Sequence, residues 1–499
     1  MEMQFDKTVC RCLKHAVREV QNQEQTQEVK LPDSYPDIGS VISAWGQVIL
    51  RGKEWRSDGM SASGGVMTWI LYAPEDGTQP QCIETWLPFQ MKWDFPETER
   101  EGSIILQPLL RSVDARTISA RKMMVRANVA IMGEAMEPWE VTSYQPPQET
   151  DHVELLRQTY PVRLHIQSGE KAFLLDEELT LPASCPAMDK ILRYDVMPVV
   201  QEQKVMAGRV VFRGLANVHV LYQCESGDME SWDFEVPFSQ YADLDGETDS
   251  DARAHIVMAV TSMELDLTEE GPIRLKCGLV GQYVLSELKM LEIAEDAYSP
   301  DRNVSPWMQM LTVPAILEKR QESVLAEQSV PAEQGRVLDV SYLPDFPRSS
   351  RMGDQIQAEL PGVFQMLYRD GAGMIQSAVL RSSSTWEMPV DAQADVQMSI
   401  IQSGRPQGNI NGGSMTARSG MELHVLTSSE QSIPMLMGMD VGEPVTPDPM
   451  RPSLILRRAD GQGLWNLAKA CGSTMEAIRR ANGITGDPAE GQMLLIPVP

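Results

Sequence analysis

The strongest constraint on what this chain can fold into is that it returns to its own landmarks about every 150 residues. Leu31-Pro32-Asp33-Ser34-Tyr35-Pro36 comes back as Leu181-Pro182-Ala183-Ser184-Cys185-Pro186, and Val330-Pro331 stands at the same interval again. Leu71-Tyr72 is matched by Leu221-Tyr222 and Leu367-Tyr368, Pro88-Phe89 by Pro237-Phe238, and Gly64 by Gly214. An internal repeat sets the unit of folding, and this period is far too long for a solenoid turn. Each copy is therefore expected to be a domain with its own core. The boundaries read as 1–144, 155–297 and 306–440, with a fourth, unrelated segment at 452–499. Leu360 replaces the glycine in the third copy and Arg381 lies near the expected Phe, which marks that copy as degenerate.

Within each copy the apolar residues alternate with polar ones, the period of a strand. Ala216, Val218, Val220 and Tyr222 alternate with Asn217 and His219, and Phe364, Met366 and Tyr368 with Gln365. Val66 to Tyr72 is apolar on both faces, as in a doubly covered strand. Each copy closes on another alternating run: Val125 to Ile131, Ile273 to Cys277, and Met421 to Val425. Short strands parted by Gly and Pro turns predict a mainly β protein of tandem antiparallel sandwiches or barrels. A short helix is expected after Pro36 (Ile38, Val41, Ile42) and after Pro186 (Met188, Ile191, Leu192). The proline-dense run Glu443 to Pro449 reads as an extended spacer holding the last segment away from the repeats.

Composition narrows function mainly by exclusion. Asp and Glu outnumber Lys and Arg by 70 to 43, a net charge of -27, which repels nucleic acid and anionic membranes and favours a basic protein partner. No run of 18 apolar residues predicts a membrane span, and the first residues lack the pattern of a signal peptide. Seven Cys residues, odd in number and scattered, point to reduced thiols in a cytoplasmic protein.

The sequence carries none of the common motifs for catalysis or cofactor binding. There is no phosphate-binding glycine loop, nucleophile elbow or His-Glu-x-x-His. The six His residues never pair at ligand spacing, and His219 and His424 read as solvated side chains on polar strand faces. Cys10-Arg11-Cys12 lacks a second ligand pair and reads as core, and the acidic stretch from Asp243 to Asp251 reads as a solvated turn. No metal, cofactor or catalytic residue is therefore expected. Among the 31 Met residues, the run Pro434 to Met439 is the best candidate for an exposed binding patch.

The tail from Ser453 has a different pattern. A short strand (Leu454 to Leu456) is followed by Gly461, a helix carrying Leu464, Leu467, Ala468 and Cys471, and a stop at Gly472. A second helix capped by Ser473 or Thr474 follows, then a turn at Asn482-Gly483 and a closing strand before Pro497. This βααβ order, with Gly461, Leu464, Trp465, Asn482, Gly491, Gln492, Leu494, Ile496 and Pro497 in place, resembles a LysM domain. The resemblance implies a groove between two loops, here Gly461, Gln462, Gly463 and Leu464 facing Asn482, Gly483 and Ile484. LysM domains that grip N-acetylated glycans present Asp and Thr after the first glycine, whereas this chain has Gln462 and Gly463. The missing hydroxyl favours a protein partner over a sugar.

The repeated Leu-Pro-x-x-x-Pro, Gly-to-Leu-Tyr and Pro-Phe steps are similar to SPOCS domains of spore-coat proteins. SPOCS copies ending in a LysM resemble the SipL-type coat morphogenetic proteins of endospore formers. That resemblance implies a non-enzymatic scaffold in the mother-cell cytoplasm, at the forespore surface, that docks a coat morphogenetic ATPase or other coat protein through the LysM. The alternative implied by the tail is a peptidoglycan- or glycan-binding protein of the cell wall or spore cortex.

Overall fold

A computed structural model describes residues 2–206, 208–268, 273–446, 450–459, 461 and 463–498. The chain is mainly β, and the same succession of strands occurs three times. After a short β1 (Glu2–Gln4), the first third runs β2 (Asp6–Lys30), β3 (Ile38–Arg56), β4 (Gly59–Pro74), β5 (Gln81–Asp94), β6 (Ser103–Ser119) and β7 (Lys122–Gln145). The second runs β8 (Glu154–Leu179), β9 (Met188–Met206), β10 (Arg209–Cys224), β11 (Met229–Asp243), β12 (Arg253–Leu267) and β13 (Ile273–Tyr298). In the last third β14 (Arg302–Pro331) is followed by β15 (Gly335–Pro344), β16 (Arg348–Met352), β17 (Gln355–Asp370), β18 (Ile375–Pro389), β19 (Asp395–Gln402), β20 (Gln407–Asn411) and β21 (Ser414–Pro444).

In each third a long opening strand pairs antiparallel with the long closing strand, as β2 with β7, β8 with β13 and β14 with β21. The strands between form an antiparallel meander, β3-β4-β5, β9-β10-β11, or β15 and β16 on β17 with β18. The third copy splits its first meander strand at Pro344-Asp345-Phe346-Pro347 because proline cannot donate to a ladder. Meander and closing strands share one apolar cluster. In the first third it gathers Val66, Ile70, Tyr72 and Leu87 with Val125, Val129 and Ile131, all fully buried. Burying each such side chain contributes about 1.5–3 kcal/mol.

The landmark residues have matching physical jobs. Tyr72 lies opposite Val41 and Gln81, Tyr222 opposite Ile191 and Glu230, and Tyr368 opposite Val337 and Gln376. The Tyr72 hydroxyl donates to the Pro36 carbonyl at 3.0 Å, and that of Tyr222 to the Pro186 carbonyl at 3.4 Å. Gly64 has room only for hydrogen: a Cβ there would lie 2.2 Å from the Ile49 carbonyl oxygen and 2.8 Å from the Phe89 ring. At Gly214 the same atoms of Val199 and Phe238 would stand at 2.0 and 2.8 Å.

Two expectations are corrected here. The segments after Pro36 and Pro186 are strands, not helices. In β3 the register shifts between Ile38 and Ser40 and again between Val41 and Ser43, and β9 has the matching irregularities around Leu192 and Asp189. Each bulge inserts an extra residue, so the inward side chains fall at a spacing that imitates a helix. The run Pro434 to Met439 is not an exposed patch. Met435, Leu436 and Met439 are at most 1% exposed, because β21 packs against the other two thirds.

The three long hairpins each touch the other two. Between them Cys12, Val141, Val162, Leu164, Leu291, Ile293, Val313 and Ile433 form one shared apolar cluster. Burial pushes the Cys12 thiol up to about 12, in keeping with a core side chain. The tail folds as β22 (Leu454–Arg458), α1 (Gly463–Cys471), α2 (Met475–Asn482) and β23 (Met493–Pro497), with β22 paired to β23.

Candidate functional site

The tail is built around Leu464, Leu467, Ala468, Ile478, Leu494 and Ile496. Thr474 caps α2, accepting from the Ala477 amide at 3.1 Å, and Gly483 ends it in the left-handed region at φ 63°. Of the residues expected to form a groove, Gly461 and Gly463 both have φ 80° and keep their backbone exposed or half-buried, while Gln462 lies outside the described residues. Leu464 is fully buried in the tail core, and its amide donates to Asp487 Oδ1 at 3.1 Å, so its side chain does not face a partner.

Asn482 is also committed internally. Its amide nitrogen donates to the carbonyls of Ile478 (2.8 Å) and Leu495 (2.7 Å), and its oxygen accepts from the Leu495 amide (2.8 Å). Ile484 is half-buried against the same core. Sequence reasoning missed a second surface. Register pairs Leu456 with Leu495 and Arg458 with Met493, and Leu454, Leu456, Met493 and Leu495 are all exposed on the outer side of this two-stranded sheet.

The tail does not hang from a spacer. Trp465 on α1 stacks edge-on against Tyr298, with ring centroids 4.8 Å apart, and donates Nε1–H to Asp296 at 2.9 Å. Lys469 reaches both oxygens of Asp296 at 2.7 Å, and the Tyr298 hydroxyl donates to the Ser473 carbonyl. The end of β13 thus holds the tail against the body. Residues 447–449 of the expected spacer lie outside the described residues.

The second candidate lies where the three thirds meet. A cavity of about 840 Å³ is lined by His15, His165, His255 and His424, one or two from each third. It adjoins a further cavity of about 320 Å³ that shares His255, His424, Gln107 and Gln203 as lining. Local strand geometry places these groups. Each long opening strand carries a β-bulge at the same point, at Ala16, Ile166 and Leu317, just after His15 and His165 and just before Glu318 and Lys319. A bulge re-aims the side chains beside it, and these three turn polar residues toward the centre.

Glu134 is paired with Arg18 at 3.0 Å and lies 3.4 Å from His15. Burial would raise its carboxyl, but Arg18 and His15 outweigh that and hold it down at about 2. The imidazoles go the other way. Burial pushes His165 down to about 3, with His15 adding to it, and burial with the charge of Lys319 lowers both His255 and His424. Burial and the Arg253 charge lower Lys319 to about 8. Among the described residues no group of three or more His, Cys, Asp or Glu could hold a metal ion.

His219 also departs from expectation. It is buried between Asp233 (2.7 Å) and Asp339 (2.8 Å), the latter from β15 of the third copy. Arg193 lies 3.1 Å from Asp339 and 4.9 Å from the centre of the Trp45 ring, joining all three thirds. The polar face of β10 is covered by a neighbouring copy, so a polar pattern there does not mean solvent. His424, expected to be solvated, likewise faces the central cavity.

Comparison with known families gives one finding. The family model described as SipL, SPOCS domain matches residues 187–268, which span the meander β9-β10-β11 and β12. The chain therefore carries a SPOCS-type domain in its second third, of a kind linked by that description to SipL. No curated protein and no solved structure matches. No helix among the described residues is long and apolar enough to cross a membrane.

Proposed function

We propose that this protein is a non-enzymatic scaffold of spore-coat assembly. It works in the mother-cell cytoplasm at the forespore surface, with three SPOCS-like copies as a rigid body and a LysM-like tail that captures a coat morphogenetic ATPase or another coat protein. The observation that carries this reading is the SPOCS match at 187–268, set within an element order that recurs before and after it. The tail supports protein over glycan capture. Asn482, a polar side chain expected to meet a sugar, has its amide groups engaged within the tail, whereas apolar side chains stand exposed on the neighbouring sheet. Buried sugar hydroxyls need many polar partners, and an apolar face suits a protein surface.

The contact surface is proposed to comprise the backbone at Gly461, Gly463 and Gly483 with the half-buried Ile484. A pull-down from sporulating cells using the full chain, the chain lacking 452–499, and Ile484→Asp tests this. Capture of a coat protein by the full chain, and its loss in both variants, is the expected result. Capture that survives the deletion would place docking in the repeats, and sedimentation of the full chain with peptidoglycan would favour a wall-binding protein.

A further inference from the structure

The central cavity contains more positive charge than its surroundings neutralise. Glu134 is occupied by Arg18 and His15, as described above. Neither Lys319 nor Arg253 has a carboxylate within ion-pair distance among the described residues, although both line the cavity, where they stand exposed at its rim. The Nδ1 atoms of His165, His255 and His424 are buried without a hydrogen-bond partner among the described residues, while His424 Nε2 lies 3.6 Å from the Glu422 carboxylate. Such orphaned polar atoms are unfavourable in a protein interior and call for a partner, whether ligand or ordered water. The walls also carry apolar side chains, including Met132, Val257 and Val284. A space of about 840 Å³ falls in the range of small-molecule sites, which combine an apolar lining with a few converging polar groups.

This local surplus of cations sits inside a chain whose net charge is -27. A neutral or cationic ligand would leave Lys319 and Arg253 repelling one another. An anion bridging them would remove that repulsion and give the imidazoles an acceptor for their N–H groups. We propose that the cavity where the three copies meet is a binding site for a small organic polyanion, carboxylate- or phosphate-bearing, held by Lys319 and Arg253 with His255 and His424 alongside. The ligand-holding groups come from two copies, His255 and Arg253 from the second and Lys319 and His424 from the third, while His15, Met132 and Glu134 of the first complete the wall. Ligand binding and the docking of the second copy against the third are accordingly coupled.

Calorimetric titration of the full chain with citrate and with inorganic phosphate, against sodium chloride of matched ionic strength, tests the site. Saturable binding of at least one probe is expected, together with a thermal shift that chloride does not give. The tighter of the two probes assigns the carboxylate or phosphate source. Lys319→Met and Arg253→Gln should each weaken binding by about tenfold or more, the effect of removing one charge-assisted contact. Lys276→Met, at an exposed pair with Glu264, should leave it unchanged. A second cavity variant keeps the test valid if either one fails to fold. Failure of both probes to bind the unaltered chain, or unchanged affinity in both cavity variants, would overturn the proposal.

Discussion

Leu360 stands directly opposite Ser384 at the register position where Gly64 faces Phe89 and Gly214 faces Phe238. In the first two copies a ring covers a residue that has no side chain. In the third the bulk has changed strands: Leu360 is fully buried and its partner is small. Arg381, expected near the Phe position, lies three residues away from it in register, opposite Val363. The third copy thus keeps the packed volume while losing the family pattern.

That exchange predicts coupling between the two positions. Leu360→Gly should destabilise the protein by about 3–5 kcal/mol through lost burial and the cavity left behind. Adding Ser384→Phe should restore part of the loss, a coupling of about 1–2 kcal/mol in a double-mutant cycle read by urea denaturation. Strict additivity would refute the volume-exchange account.

Asp296 is expected to act as a latch for the tail. Asp296→Ala removes the acceptor of both Trp465 and Lys469 and should weaken docking by about 1–3 kcal/mol. Limited proteolysis should then cut more readily between the body and the tail, and Trp465 emission should shift to the red. If cleavage and emission match the unaltered chain, the contact is dispensable.

Stability should fall as the pH drops below about 6.5, the ordinary imidazole value. His165, His255 and His424 have lowered values in the folded chain, so the unfolded chain binds more protons in this range. Each contributes at most about 1.4 kcal/mol per pH unit. His219 acts in the opposite sense. Burial would lower it, but Asp339 and Asp233 raise it, so its contribution is present below about 6.5 and is lost as the pH rises through the folded value. Urea melts between pH 5 and 7.5 should therefore show a positive slope, smaller in His165→Gln. An unchanged slope in that variant would count against the assignment.

Asn482→Ala should unfold or loosen the tail alone, by about 2–3 kcal/mol, because two hydrogen bonds joining α2 to β23 and one within α2 are lost together. Amide exchange would report this as faster exchange at Leu495 with the body unaffected. Uniform protection across both would contradict it.

Much of the architecture was legible because its signals are local. The Gly64 and Gly214 positions, the recurring Tyr72 and Tyr222 and the tail caps at Thr474 and Gly483 each depend on residues near in sequence or at a fixed interval. What misled were features set by distant partners or by irregularity. Bulges in β3 and β9 gave strands a helical spacing. His219 and His424 looked solvated because nothing in a single copy indicates that another copy covers them. Leu464, expected along the groove, is claimed by the core that so small a tail must build. The gathering of His15, His165, His255 and His424 follows only from how the three copies face one another.

The first strand, β1, completes the sheet of the third copy, with Glu2 opposite Asp440 and Gln4 opposite Gly438, and the Phe5 amide donates to the Met437 carbonyl. For a nascent chain this is a long wait. At roughly 5–20 residues per second, ribosomal synthesis leaves the leading segment without its mate for some tens of seconds. Residues made more than 400 positions ahead of their partners are among the last to be sealed in place, and such a non-local closure is intrinsically slow. An unfinished polypeptide released before residue 440 would therefore expose a seam at both ends, which gives quality-control machinery a physical mark by which to tell it from the finished molecule.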